Sequence, residues 1–123
     1  MINSEPVIEI TREDKKIVVK AIIQTWNKVE NEHICITIPF LGGLITHASN
    51  EYDAEKAVIE AFHCFVKISE KHGLGIENEL TYIGWTKEEG STKDHSIFSI
   101  NNSNSVFNSM LETGDTRVLE YAL

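Results

Sequence analysis

Long apolar runs are missing from this sequence. None approaches the ~20 residues that a membrane-crossing helix needs, and the opening "MINSEPVIEI" lacks the basic start and apolar core of a secretory leader. A cytoplasmic protein without a membrane partner is the expectation. Cysteine is scarce: Cys35 and Cys64 cannot frame a disulfide scaffold in a chain of 123 residues and read as two free thiols. Basic charge is short as well, 11 Lys and Arg against 19 Asp and Glu, for a net charge of −8. That balance argues against general affinity for nucleic acid, whose phosphates call for a basic face. It leaves open a basic protein partner, because opposite net charges steer encounter. Beyond residue 96 the chain has one arginine, Arg117, and no lysine, so direct DNA binding by this part is not expected. Neither of the glycine-rich phosphate signatures, G-x-x-x-x-G-K-[ST] and G-x-G-x-x-G, occurs.

What is present is an ordinary globular composition, 41% hydrophobic and 24% charged, over one domain's length. We read residues 1–123 as a single α+β domain. "PVIEIT" (6–11) reads as a short strand, and "KIVVKAIIQTW" (16–26), rich in β-branched residues, as a long one. "NKVENEH" (27–33) reads as the turn that follows. In "HICITI" (33–38) Ile34, Ile36 and Ile38 alternate with His33, Cys35 and Thr37, the pattern of an antiparallel strand with one face on a core. Pro39 should end it. Gly42 and Gly43 then mark a bend before "LITH" (44–47).

Residues 50–72 carry the clearest signal, a helix. Ala54, Ala57, Val58, Ala61, Phe65 and Ile68 repeat with a 3.6-residue period. Asn50 is a suitable N-cap, Glu51, Asp53 and Glu55 suit the positive end, and Lys71 and His72 precede Gly73 at the negative end. "ELTYIGW" (79–85) reads as a strand, "TKEEGSTKDHS" (86–96) as a loop and "SIFSI" (96–100) as a strand. "NNSNS" (101–105) reads as a turn, "VFNSMLET" (106–113) as a short helix, and "RVLEYAL" (117–123) as a closing strand or helix.

Candidate chemistry is thin. The glycine pair could cradle a phosphate, but the helix beyond it opens with Glu51 and Asp53, which would repel one, so a turn is the better reading. His33 and Cys35 share a strand face and His47 ends the next strand; a small metal-dependent hydrolase would use these three, although no Cys-x-x-Cys or comparable spacing supports it. His63 and Cys64 diverge by about 100° as helix neighbours and cannot pair; a solvated histidine and a packed cysteine account for them. Glu9, Glu13 and Asp14 read as exposed hairpin acids rather than a two-metal site. An RNA-binding alternative rests on Trp26 and the strand's outward side chains. A second apolar line, Tyr52, Ile59 and Val66 with Phe62 between the two lines, widens the helix's apolar sector beyond what one sheet requires. Either the C-terminal segment covers it or another protein does.

The stretch from Ile34 to Ile68 resembles the HicB-like antitoxin domain. The positions that match are Pro39, Leu41, Gly43, Ile45, Thr46, Asn50, Ala54 and Ala61, with Asn50 where the family usually has Thr. The resemblance implies a β-β-β-α-β core over residues 16–86. That core would be an antiparallel three- to four-stranded sheet with one long helix on one face, a partial ribonuclease-H-like fold without the catalytic acids. An extra N-terminal strand and a C-terminal extension over 87–123, with short α/β elements, would complete the chain. It further implies a domain that is not an enzyme, needs no cofactor, forms homodimers and neutralises a small basic mRNA-cleaving toxin. For that contact the expected residues are Glu51, Tyr52, Glu55, Ile59, Glu60, Phe62 and Val66.

Overall fold

The structure, a computed structural model, describes residues 5–100, 109 and 113–122. Its elements are β1 (Val7–Glu13), β2 (Lys16–Glu30), β3 (His33–Ile38), a 3-10 turn (Pro39–Leu41), β4 (Leu44–Ala48), α1 (Glu51–Lys71), α2 (Ile76–Tyr82), β5 (Thr86–Lys87), β6 (His95–Ser99) and β7 (Asp115–Ala122). The class is α+β. The sheet has seven antiparallel strands in the order β4-β3-β2-β1-β6-β5, with β7 also on β2. It is therefore larger than the three to four strands expected. The addition comes from pairings between segments far apart in sequence, which local pattern cannot reveal.

β2 organises the sheet. Its residues Val18 to Ile22 pair with β1 along one edge and with β7 along the other, and from Trp26 onward it pairs with β3. The strand runs on through the segment expected to turn, because the reversal is confined to Asn31 (φ 44°) and Glu32 (φ 69°). Two left-handed residues in succession make the tight hairpin whose twist suits antiparallel strands. Residues 87–123, read as an extension, supply two strands of this sheet, and "RVLEYAL" belongs to β7. The turn expected at 101–105 and the helix expected at 106–113 lie outside the described residues, apart from Ser109 and Thr113.

One face of the sheet carries α1. Ile8, Ile10, Ile17, Val19, Ala21, Ile23, Ile34, Ile36, Ile38, Phe98 and Leu119 form its inner side, all nearly or fully buried. Against them α1 lays Ala54, Val58, Phe62 and Val66, each 0–1% exposed. Burying four such side chains contributes on the order of 1.5–3 kcal/mol for each of the larger ones. The inner line of the helix is thus 54-58-62-66, rotated from the line the sequence suggested. Ala57, Ala61 and Phe65 pack at its border, and Ile68 is 54% exposed.

α1 starts as expected: the Asn50 side chain accepts a hydrogen bond from the Asp53 N–H at 2.9 Å. Its end is different in cause. Gly73 does not adopt a positive φ; a Cβ there would sit 2.6 Å from Glu79 Oε1 and 2.9 Å from the Ser69 carbonyl, so glycine permits a close approach to α2. Residues 79–85, expected as a strand, instead complete α2 and a turn. Ile76 and Leu80, one helical turn apart, are buried, while Tyr82 is 84% exposed, a helical rather than an alternating pattern. The turn delivers Trp85 to the core, where its indole N–H donates to the Phe40 carbonyl at 2.7 Å.

Several of the family-like positions serve this framework. Pro39 opens the 3-10 turn, Leu41 and Ala54 are buried, and Thr46 lies half-buried on the helix side of β4. Ala61 faces the groove described below.

Candidate functional site

The glycine pair is a bend. Gly42 and Gly43 have φ of 70° and 77°, and both their N–H groups point to the Pro39 carbonyl, that of Gly43 at 3.3 Å. Donors committed to their own turn cannot hold a phosphate.

His33, Cys35 and His47 do approach one another on the sheet face away from α1. Cys35 is the register partner of His47, and the two imidazole centroids are 5.7 Å apart. The His33 Nδ1–H donates to the Asn31 carbonyl at 3.2 Å, which fixes the ring towards its own hairpin. Among the described residues no three His, Cys, Asp or Glu side chains are placed to hold one metal ion. Glu9 pairs with His95 (Oε2 to Nε2, 2.7 Å), while Glu13 and Asp14 lie exposed at the β1–β2 turn.

His63 is not simply solvated. Its Nε2 donates to the Glu120 carbonyl at 2.8 Å, and its ring stands edge-on to Tyr121, tying α1 to β7. Cys64, expected to be packed, is exposed, and both cysteines are free. Trp26, the stacking candidate, is half-buried and donates from Nε1 to Thr113 Oγ1 at 2.9 Å.

The expected partner-binding residues separate into two groups. Phe62 and Val66, 1% and 0% exposed, are core side chains and present nothing to a partner. The reason is the rotation of the helix: the line turned to the sheet is Ala54, Val58, Phe62 and Val66. Tyr52 (90% exposed) and Ile59 (37%) do face outward, where they line a shallow depression with Glu51, Glu55 and Lys56. Glu60 is exposed beside it, 4.0 Å from Lys56, an i,i+4 pair of little energetic weight.

Two features had no sequence signal. The first is a clamp at the other end of α1. Arg12 on β1 grips two carboxylates in fork fashion: Nε and Nη2 donate to Glu77 at 2.8 and 2.6 Å, and Nη1 and Nη2 to Glu70 at 2.8 and 3.0 Å. Glu70 Oε2 also accepts from the Ile76 N–H at 2.9 Å. Hydrogen bonds from the guanidinium hold both carboxyls below the usual carboxylate range, and those same bonds raise the Arg12 pKa. Each guanidinium nitrogen donates at least one hydrogen bond within the clamp, so the cluster fastens β1, α1 and α2 together.

The second is a groove of about 560 Å³ between β4 and the C-terminal half of α1. Leu44, Ile45, Ala61, Phe65 and Ile68 supply its apolar lining.

No family model, no curated protein and no solved structure matches this chain. No helix among the described residues is long and apolar enough to cross a membrane.

Proposed function

We propose that this chain is a non-catalytic, HicB-like protein-binding domain that acts in the cytoplasm as an antitoxin, covering a small basic RNA-cleaving protein. The outer face of the first turns of α1 is the observation that carries the reading. Tyr52 stands 90% exposed beside Ile59, with Glu51 and Glu55 around them. An exposed aromatic beside two acids, with Lys56 the one base of the depression, suits a basic protein surface: the aromatic supplies contact area and the acids speed encounter. The chain's net charge of −8 acts in the same direction over longer range. The titratable groups that the fold gathers most closely, Arg12, Glu70 and Glu77, are engaged with one another, which favours a binding role over catalysis.

The test is to co-express the chain with the product of any short basic reading frame beside its gene. Co-purification as a stoichiometric complex is expected, along with suppression of that product's ribonuclease activity. Tyr52→Ala combined with Glu55→Lys should weaken the complex at least about tenfold in calorimetric titration. A neighbouring basic product that fails to associate, or an affinity untouched by the double substitution, overturns the reading.

A further inference from the structure

Basic charge is scarce in this chain and is not spread evenly. Arg12, Lys15, Lys16, Lys67 and Lys71, five of its 11 basic side chains, line a single recess of about 170 Å³. Lys15 and Lys16 come from the β1–β2 turn, and Lys67 and Lys71, one helical turn apart, from the last turns of α1. All four lysines are exposed, and none has an ion-pair partner among the described residues. The acids of the recess are Asp14 and Glu70, and Glu70 is taken by Arg12 in the clamp. Tyr121 completes the lining. It is 6% exposed, its ring is held edge-on to His63, and its hydroxyl has no hydrogen-bond partner among the described residues.

We propose that this recess is an anion site that takes the phosphate or diphosphate group of a small molecule. Four ammonium groups gathered around one space repel one another, and a multiply charged anion between them relieves that repulsion. A lone carboxylate would offset only one of the four charges, whereas phosphate and diphosphate carry more, and lysine meets phosphate as a point charge. A buried phenol with a free hydroxyl adds one fixed donor to four mobile ones. Size limits the occupant. At about 170 Å³ the recess falls below the ~300–1,000 Å³ of pockets that enclose a whole organic ligand, so the charged group enters and the rest of the molecule stays outside. A nucleic-acid strand is the poorer occupant, because it needs a basic track. Here Asp14 lies in the lining, Glu13 and Glu120 adjoin it in sequence, and the chain as a whole carries −8. The Arg12 clamp already fixes β1 against α1, so both pairs of lysines are held in place before any ligand arrives. Tyr52 belongs to the opposite end of α1, so this proposal and the antitoxin reading can fail separately.

The test is calorimetric titration of the full chain with pyrophosphate and with inorganic phosphate, at about 50 mM salt so that screening is modest. Saturable one-to-one binding is expected, tighter for pyrophosphate. Lys67→Gln with Lys71→Gln, both exposed and away from the core, should weaken it at least about tenfold. Tyr121→Phe, which keeps the ring, should weaken it about threefold. Lys28→Gln with Lys56→Gln removes the same charge elsewhere and should leave the affinity within about twofold. Absence of saturation at about 10 mM pyrophosphate overturns the proposal. So does an affinity that neither site variant moves, or one that the distant pair lowers equally. A short single-stranded RNA that binds through Lys67 and Lys71 more tightly than pyrophosphate also overturns it, and assigns the lysines to nucleic acid.

Discussion

The two ends of α1 are built on opposite principles. At the C-terminal end, Arg12 bridges Glu70 and Glu77, Gly73 lets α2 press against the helix, and the Gly75 N–H donates to the Ser69 carbonyl at 2.9 Å. The N-terminal end has the Asn50 cap and the small buried side chains of Ala48 and Ala54; its acids and Tyr52 project outward. Local opening follows the density of such contacts, so the first end is expected to hold the fold and the second to remain available. Stability and the proposed contact surface thereby fall on different turns of one helix.

The comparison can be broken most severely at the clamp. Arg12→Ala leaves two carboxylates facing each other, and removing one partner of a fully buried ion pair costs about 3–5 kcal/mol. Here the three side chains retain 32%, 24% and 20% exposure, which screens the charges, so about 2 kcal/mol is expected in a urea melt at pH 7. The pH dependence identifies the cause. Both folded-state carboxyl pKa values lie below their unfolded values, near 4.3. Their stabilising effect is therefore complete above that range and is lost as pH falls through the folded values. Wild type and variant should differ most at neutral pH and converge in acid; a gap independent of pH would mean that packing, not charge, was lost.

Next in size is the bend that sets β4. A Cβ added at Gly43 would meet no atom within 4 Å, so the cost of Gly43→Val is expected to come mainly from the φ of 77°. A β-branched residue forced there should lose about 1–2 kcal/mol, and an unchanged melting temperature would contradict the turn. The smallest effect belongs to the helix start. Asn50→Ala should cost about 1 kcal/mol, with faster amide exchange confined to the first turn of α1. Exchange spreading to the clamped end would show that the two ends are not independent.

How far the sequence shows this depends on whether the determining contacts are local. α1 was legible because cap, terminal charges and apolar period all lie within one segment, and β3 because three isoleucines alternate with polar residues. α2 was hidden: it is seven residues long, and "TYI" beside Trp85 imitates a strand. The clamp joins residues 58 and 65 positions apart, with no local trace at either end. The facing of α1 was also ambiguous, since an apolar sector as wide as this one fits two orientations. Packing against the sheet chose the one that buries Phe62 and Val66 and leaves Ile68 outside. Of the proposed contact surface, Glu51, Tyr52, Glu55 and Ile59 were legible, and the groove beside β4 was not.

β2 also sets an order of events during synthesis. Its hairpins with β1 and β3 can close as soon as residues up to Ile38 are available, because their partners adjoin it in the chain. Its other long pairing must wait until residues 115–122 have been made. Throughout that interval the middle of β2, "VVKAIIQT", presents an open hydrogen-bonding edge to solvent, so the nascent chain is most exposed to misassembly at the strand that becomes the best protected in the finished fold.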